Sequence, residues 1–313
     1  MRPADATVRI EGLGRDFGAL SAVGAVSFEV RPGELFGLVG PDGAGKTTIL
    51  RMLAGVLRPT RGDAWLGGVS VVRDPEGVKH RLAYMSQRFG LYTDLTVREN
   101  LDFYADLYGV PRRERAARLE RLFAFSSLGP FQDRLAGKLS GGMKQKLGLS
   151  CALIHQPEIL LLDEPTFGVD PISRRDLWLI VHEMVAQGVT VIASTAYLDE
   201  AERFDRVALL HAGHVVGLDE PEALGRAGGT LIAVETDRPR DAQLALRGLP
   251  ELVSVIRFGT GLHVEPAAGD LAGAATVVRR ALEAAGVGVG SVVAEPASLE
   301  DVFMARLQAE AAS

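Results

Sequence analysis

The 313-residue chain contains a single cysteine, Cys151. One thiol cannot form an internal disulfide, so the fold has no covalent staple, and the composition suits a reducing compartment. Positive charge is also scarce: 34 Lys and Arg stand against 40 Asp and Glu, a formal net charge of −6. Broad nucleic-acid binding needs a basic face to neutralise phosphates, so nucleic acid is not an expected partner. Long hydrophobic runs are missing, and no stretch approaches the roughly 18–20 apolar residues that span a bilayer. The opening MRPADATVRIEG holds no apolar core of signal-peptide length. There is no internal repeat and no low-complexity tract. If the protein works at a membrane, something else must hold it there.

What remains is ordinary globular material, 47% hydrophobic and 24% charged, long enough to bury a sizeable core. Apolar runs rich in strand formers recur at Val26–Val30, Leu35–Val39, Ile159–Leu162, Val189–Ala193 and Val207–Leu210. Helix-like segments lie between several of them, at Lys46–Leu53, Val97–Tyr108, Arg112–Phe125, Gly141–Ile154 and Ser173–Ala186. Strands alternating with helices predict an α/β core with a largely parallel sheet. The composition shifts at Arg226-Ala227-Gly228-Gly229. Beyond it, TLIAVETD, a hairpin in LVSVIRFGTGLHVEP and a helix in DLAGAATVVRRALEAAG predict a small separate α+β domain. The expected division is 1–227 and 228–313.

The run Leu35–Val39 leads into GPDGAGKTT, residues 40–48, which fits G-x-x-x-x-G-K-[ST]. Gly40, Gly43 and Gly45, with Pro41, Asp42 and Ala44 between them, let the backbone curl so that its N–H groups face phosphate oxygens. Lys46 is placed to reach the β- and γ-phosphates, Thr47 to bind Mg²⁺, and Thr48 continues the helix start. Asp42 helps only if it faces solvent or caps the turn. A strand before and a helix after are the context that separates this motif from a chance glycine-rich turn.

A second strand, in PEILLLDEPTFGVDP, ends in Asp163-Glu164. Beside a phosphate loop, Asp163 can hold Mg²⁺ directly or through water. Strand alternation aims Glu164 elsewhere, where it can polarise an attacking water as a general base. The plainer alternative is a solvated acidic turn. In LSGGMKQKLGLSCAL, Ser140 is a good N-cap, and Gly141 and Gly142 permit close backbone approach at a helix start. That is a second anion site in a chain that already has one. It is useful if it caps a nucleotide held by another subunit.

With these motifs in this order, the chain resembles the nucleotide-binding subunits of ABC transporters over roughly residues 6–225. GPDGAGKTT is similar to their P-loop, LLLDEP to their acidic strand and LSGGMKQK to their signature. Gln87 in YMSQRFG matches the Q-loop glutamine, which in the family contacts Mg²⁺ or the attacking water and relays to the membrane subunits. Asp170 in FGVDP matches the D-loop aspartate, and Phe17 in GRDFG the aromatic that stacks on adenine. The ending EPASLEDVFMARL resembles that of ABC-2-type exporter subunits. The resemblance implies a P-loop NTPase core with a helical subdomain, about residues 88–157, an antiparallel β subdomain and the accessory C-terminal domain. It also implies ATP and Mg²⁺, a second nucleotide-binding subunit in a homo- or heterodimer, and two integral-membrane permease subunits. The expected place is peripheral, on the cytoplasmic face of the inner membrane. Each site would join one chain's P-loop to the other's Ser140-Gly141-Gly142.

One position departs from the family. Aligned through YLDEAE, Ala196 stands where the family has the switch histidine that hydrogen-bonds the γ-phosphate. Losing such a donor can cost on the order of 10²–10³ in rate. Either this site mainly binds ATP and a complete partner does the turnover, or Glu164, Lys46 and Gln87 suffice. His182, His211 and His214 lie elsewhere in sequence, the last two in a turn, HAGH. A soluble ABC ATPase acting on ribosomes or DNA is the more distant reading. Three lesser features remain. The arginine-rich PRRERAARLERLF predicts a solvated helix face with Leu119, Leu122 and Phe123 inward. Cys151 predicts a buried small side chain. The face around Phe89, Leu91, Tyr92 and Leu95 is either core packing or a contact with the membrane subunit.

Overall fold

The computed structural model describes residues 7–87, 90–267 and 270–312. It divides into two compact units, the boundary falling between Leu218 and Asp219. The first unit opens with an antiparallel pair, β1 (Val8–Phe17) and β2 (Leu20–Val30). Then come β3 (Leu35–Val39), α1 (Lys46–Leu53), β4 (Arg61–Leu66), β5 (Val69–Ser70), α2 (Pro75–Lys79) and β6 (Leu82–Met85). Three helices follow, α3 (Val97–Leu107), α4 (Arg112–Ser126) and α5 (Gly141–Leu153). The unit closes with β7 (Ile159–Asp163), α6 (Pro171–Ala186), β8 (Thr190–Thr195), β9 (Arg206–His211) and β10 (His214–Asp219).

These strands form a four-stranded sheet, β2-β1-β4-β5, and a six-stranded sheet, β10-β9-β3-β8-β7-β6. The four-stranded sheet pairs antiparallel throughout. In the six-stranded sheet the pairs β3–β8, β3–β9, β6–β7 and β7–β8 are parallel. Every residue of β3, β7 and β8 is buried, because a parallel sheet is covered on both faces. That explains LFGLV and ILLLD as unbroken apolar runs rather than alternating ones. Helix α1 buries Ile49, Leu50, Met52 and Leu53 in one cluster with residues of both sheets. Each such side chain contributes about 1.5–3 kcal/mol, so the helix that follows the glycine loop is firmly anchored.

Helices α3, α4 and α5 share their own core around Val97, Leu101, Leu119, Leu147 and Cys151. Helix α3 starts at a capping box, with Thr96 and Glu99 each satisfying the other's backbone N–H. As the sequence predicts, Leu119 is buried and Leu122 and Phe123 pack against this core. Arg115 and Arg118 of the same helix serve it from within, donating to the carbonyls of Val110 and Ile154. Cys151 is buried, and burial pushes its thiol pKa up.

Two elements run further than their apolar runs. Helix α6 begins at Pro171 because Asp170 caps it and proline suits the first helical position. Strand β8 continues through Ser194 and Thr195, whose hydroxyls find buried carboxylates, Asp163 and Glu200.

The second unit contains α7 (Pro221–Ala227), β11 (Thr230–Glu235), α8 (Pro239–Leu246), β12 (Leu252–Phe258) and β13 (Gly261–Pro266). It ends with α9 (Leu271–Ala284), β14 (Val292–Pro296) and α10 (Leu299–Ala312). Its antiparallel sheet runs β12-β13-β11-β14, with β12 and β13 forming the expected hairpin. Ile232, Val234, Leu262 and Val264 from the sheet meet Ala242, Leu246, Val278 and Leu282 from α8 and α9 in an independent core.

Candidate functional site

The parallel register brings several strand ends to one edge. Val39 lies opposite Thr195, Leu162 opposite Met85, and Asp163 opposite Ser194. Ligands of open α/β sheets bind beyond these carboxyl ends. The loop 40–45 leaves the sheet here, and Gly45, at φ 101°, holds a left-handed conformation that glycine adopts without strain. Helix α1 starts at once, with no side-chain cap on its first turn. Its first N–H groups have no partner within the helix, and the positive end of its dipole is directed the same way.

Lys46 is buried inside the curl, its Nζ 2.7 Å from the Gly40 carbonyl and 3.0 Å from that of Pro41. Its third contact is Glu164, with Nζ 3.2 Å from Oε1. A lysine ammonium has three protons, and these three acceptors account for them. Glu164 also accepts from Gln87, Nε2 to Oε2 at 3.0 Å. Asp163 is all but fully buried and accepts from three hydroxyls. Oδ1 lies 2.9 Å from Thr47 Oγ1 and 2.9 Å from Ser194 Oγ, and Oδ2 lies 3.1 Å from Tyr84 Oη. Burial, and then the Asp163 charge, push the Tyr84 phenol pKa up.

The expectation that strand alternation separates Asp163 from Glu164 needs correction. Strand β7 ends at Asp163, and Glu164 sits in a left-handed turn at φ 47°. The turn, not the pleat, brings its carboxylate to Lys46. Glu164 keeps this backbone with help from Ser194, whose Oγ accepts from the Glu164 N–H at 3.0 Å.

Lys46, Thr47, Gln87 and Glu164 border a cavity of about 780 Å³ whose lining also includes Phe17. The volume is that of a site for a small organic ligand. Phe17 is half exposed on its wall, and the Arg15 guanidinium covers one ring face at 4.6 Å from the centroid. Asp42 is exposed, so its charge is solvated rather than turned inward. The hydroxyl of Thr47 and the carboxylate of Asp163 are hard oxygen donors in contact, a set that suits Mg²⁺. The Gln87 amide faces Glu164 instead.

A second group of expected residues lies outside this cavity. Ser140 caps α5 by accepting from the Met143 N–H at 3.3 Å, and Ser140 and Gly141 are exposed. Gly142 packs so closely on α6 that an added Cβ would lie 2.3 Å from the Ser173 side chain. Asp170 caps α6 through the Ser173 N–H at 3.0 Å, and this bond holds its carboxyl below the usual range. The two groups are therefore separate within one chain.

Ala196 is exposed, one residue past β8. The turn is fixed from behind by Glu200, which is buried. Glu200 accepts from Thr195 Oγ1 at 2.6 Å, Thr166 Oγ1 at 3.1 Å and Trp178 Nε1 at 3.1 Å. His182 is exposed on α6, and His211 and His214 flank the two-residue turn between β9 and β10. Phe89 lies outside the described residues. Its expected neighbour Tyr92 is exposed and packs edge-on against Phe103 at 4.5 Å. Sequence reasoning missed Tyr84, Glu200 and the part Ser194 plays. Each meets its partner only through the sheet register or a turn.

The family model described as ABC transporter matches residues 23–167. Over 222 residues, 70% of this chain, the sequence is 51% identical to a probable multidrug ABC transporter ATP-binding protein, YbhF, of Escherichia coli. The match spans only 38% of that relative's length. A solved structure described as an ATP binding subunit of an ABC transporter superposes with a TM-score of 0.65 at 31% identity, covering 71% of this chain and 93% of that one. The daunorubicin resistance ATP-binding protein DrrA3 of Streptomyces coeruleorubidus is 32% identical over 303 residues, 96% of each chain. The chain belongs to the ABC transporter family, among its ATP-binding proteins.

Proposed function

We propose that this chain is the ATP-hydrolysing subunit of an ABC-2-type exporter, driving transport through separate membrane subunits. The observation that carries the reading is the meeting of Lys46, Thr47, Gln87 and Glu164 at one cavity, with Asp163 behind Thr47, at the head of an uncapped helix. The nucleotide's phosphates take the place of Glu164 on Lys46, and the first turn of α1 receives the remaining phosphate charge. Thr47 and Asp163 would hold Mg²⁺, which neutralises the charge developing on the phosphates. Glu164, released from Lys46, accepts the proton of the attacking water, and Gln87 orients the carboxylate. Phe17 offers its open ring face to the base. Ser140, Gly141 and Gly142 are half of a second site, completed by the P-loop of another nucleotide-binding subunit, with Asp170 beside it.

Among the described residues no helix is long and apolar enough to cross a membrane. In this reading, attachment falls to partners. The exposed Tyr92, Phe103, Leu107 and Tyr108 form an apolar surface on the helical region and suit a contact with two permease subunits at the cytoplasmic face of the membrane. The names of relatives, multidrug and daunorubicin resistance, support export as the direction. A second reading rests on Ala196: with only a methyl group on this exposed turn, the site binds ATP and a complete partner supplies most turnover.

The test is Mg-ATP hydrolysis by the purified chain beside Glu164→Gln and Ala196→His. Wild type should exceed Glu164→Gln by at least about 100-fold, the scale of general-base catalysis. A wild-type rate at the Glu164→Gln level, rescued by Ala196→His, would establish the second reading. A rate at that level in all three would overturn hydrolysis by this chain.

A further inference from the structure

We propose that Ser194 is a positioning residue that sets both carboxylates of the site. The inference rests on the hydrolytic reading above. Ser194 is completely buried on β8, directly opposite Asp163 in the parallel register. Its hydroxyl has one proton, donated to Asp163 Oδ1 at 2.9 Å. That fixes the direction of the oxygen's lone pairs, and one of them receives the Glu164 N–H at 3.0 Å. One oxygen thus spans the metal-side carboxylate and the backbone of the water-side one.

Glu164 needs this support. Its backbone is left-handed at φ 47°, a region that non-glycine residues occupy only when their surroundings hold them there. The Ser194 contact does so at the residue whose side chain must be aimed. Asp163 needs support for a different reason. Its Oδ1 accepts both Thr47 and Ser194 hydroxyls. Thr47 is the member of that pair that turns to a metal ion, which leaves one lone pair of Oδ1 free. Ser194 stays, and with Tyr84 on Oδ2 at 3.1 Å it keeps the carboxylate plane from rotating. Outer partners of this kind orient ligands without touching the reacting atoms.

The experiment compares wild type, Ser194→Ala and Ser194→Thr by two readouts. One is kcat and KM for ATP; the other is Mn²⁺ affinity of the ATP complex by electron paramagnetic resonance, which needs no turnover. Ser194→Ala should lower kcat and weaken Mn²⁺ binding by about 10–100-fold each, while KM stays within about threefold. Ser194→Thr, which keeps the hydroxyl, should restore both. Wild-type kcat and Mn²⁺ affinity in Ser194→Ala would overturn the proposal, as would an equal loss in Ser194→Thr. If Ser194→Ala does not fold, Ser194→Cys replaces it. Cysteine is a weak donor of similar size and should show the losses that threonine does not; identical behaviour of the two overturns the assignment. A wild-type chain that binds Mn-ATP without turning it over would sink the hydrolytic reading. The Mn²⁺ comparison would still decide whether Ser194 positions Asp163.

Discussion

Glu164 and Lys46 illustrate how much one contact constrains. Two buried opposite charges 3.2 Å apart are costly to desolvate, and they persist because each has further partners. The pair keeps the lysine inside the loop, and it competes with a phosphate for the same ammonium. At the same scale, His155 links the helical region to pH. Its Nε2 lies 3.3 Å from the Leu82 carbonyl, its ring stacks on Tyr108 at 4.0 Å, and its Nδ1 is buried with no hydrogen-bond partner among the described residues. Burial, the largest cause, holds its pKa below the ordinary 6.5. Below that ordinary value the unfolded chain binds a proton that the folded chain resists. Stability is therefore fully present above about pH 6.5 and is lost as pH falls through and below it. Urea unfolding between about pH 7.5 and pH 5 should show a steeper loss for wild type than for His155→Phe. Equal slopes would show that His155 is not the group responsible.

Among elements, the loop from Tyr92 to Thr96 carries the clearest single anchor. Asn100 is fully buried in α3 and closes that loop. Its two Nδ2 protons are shared among the carbonyls of Tyr92 at 3.0 Å, Leu95 at 3.3 Å and Thr96 at 2.9 Å, and its Oδ1 accepts the Tyr92 N–H at 2.9 Å. Asn100→Ala leaves the Tyr92 N–H without its acceptor and takes one of two partners from the carbonyls, and should cost about 1–3 kcal/mol in urea unfolding. A loss under about 0.5 kcal/mol, the level of an ordinary surface change, would contradict that role. Such an anchor could not be read from the sequence, because Asn100 looks like any polar residue near a helix start. Glycine-loop geometry was legible, since strand, loop and helix are contiguous and the spacing of Gly40, Gly45 and Lys46 has a local cause. The strands β7 and β8 were legible as buried apolar runs. Their pairing was not: that Ser194 meets Asp163 is decided by register across 31 residues. The turn at Glu164 was also hidden, because a glutamate after a strand gives no sign of a positive φ.

For the whole molecule, the arrangement places one set of groups around the Lys46 cavity and another at the start of α5, where Ser140 and Gly141 are exposed and Gly142 packs on α6. A chain with half of each site on its surface is built to meet a second nucleotide-binding subunit, as proposed above. The C-terminal unit has its own core and begins at Asp219, ahead of the expected start at 228, because α7 falls within it. All of this depends on the Lys46 cavity taking ATP. The most direct measurement is a calorimetric titration of Mg-ATP into wild type, Lys46→Ala and Glu164→Gln. Wild type should bind one ATP per chain. Lys46→Ala should lose about 10–100-fold in affinity, the value of a charged hydrogen bond. Glu164→Gln, which removes the competing carboxylate, should bind at least as tightly as wild type. Absence of binding by wild type, or equal binding by Lys46→Ala, would contradict the account.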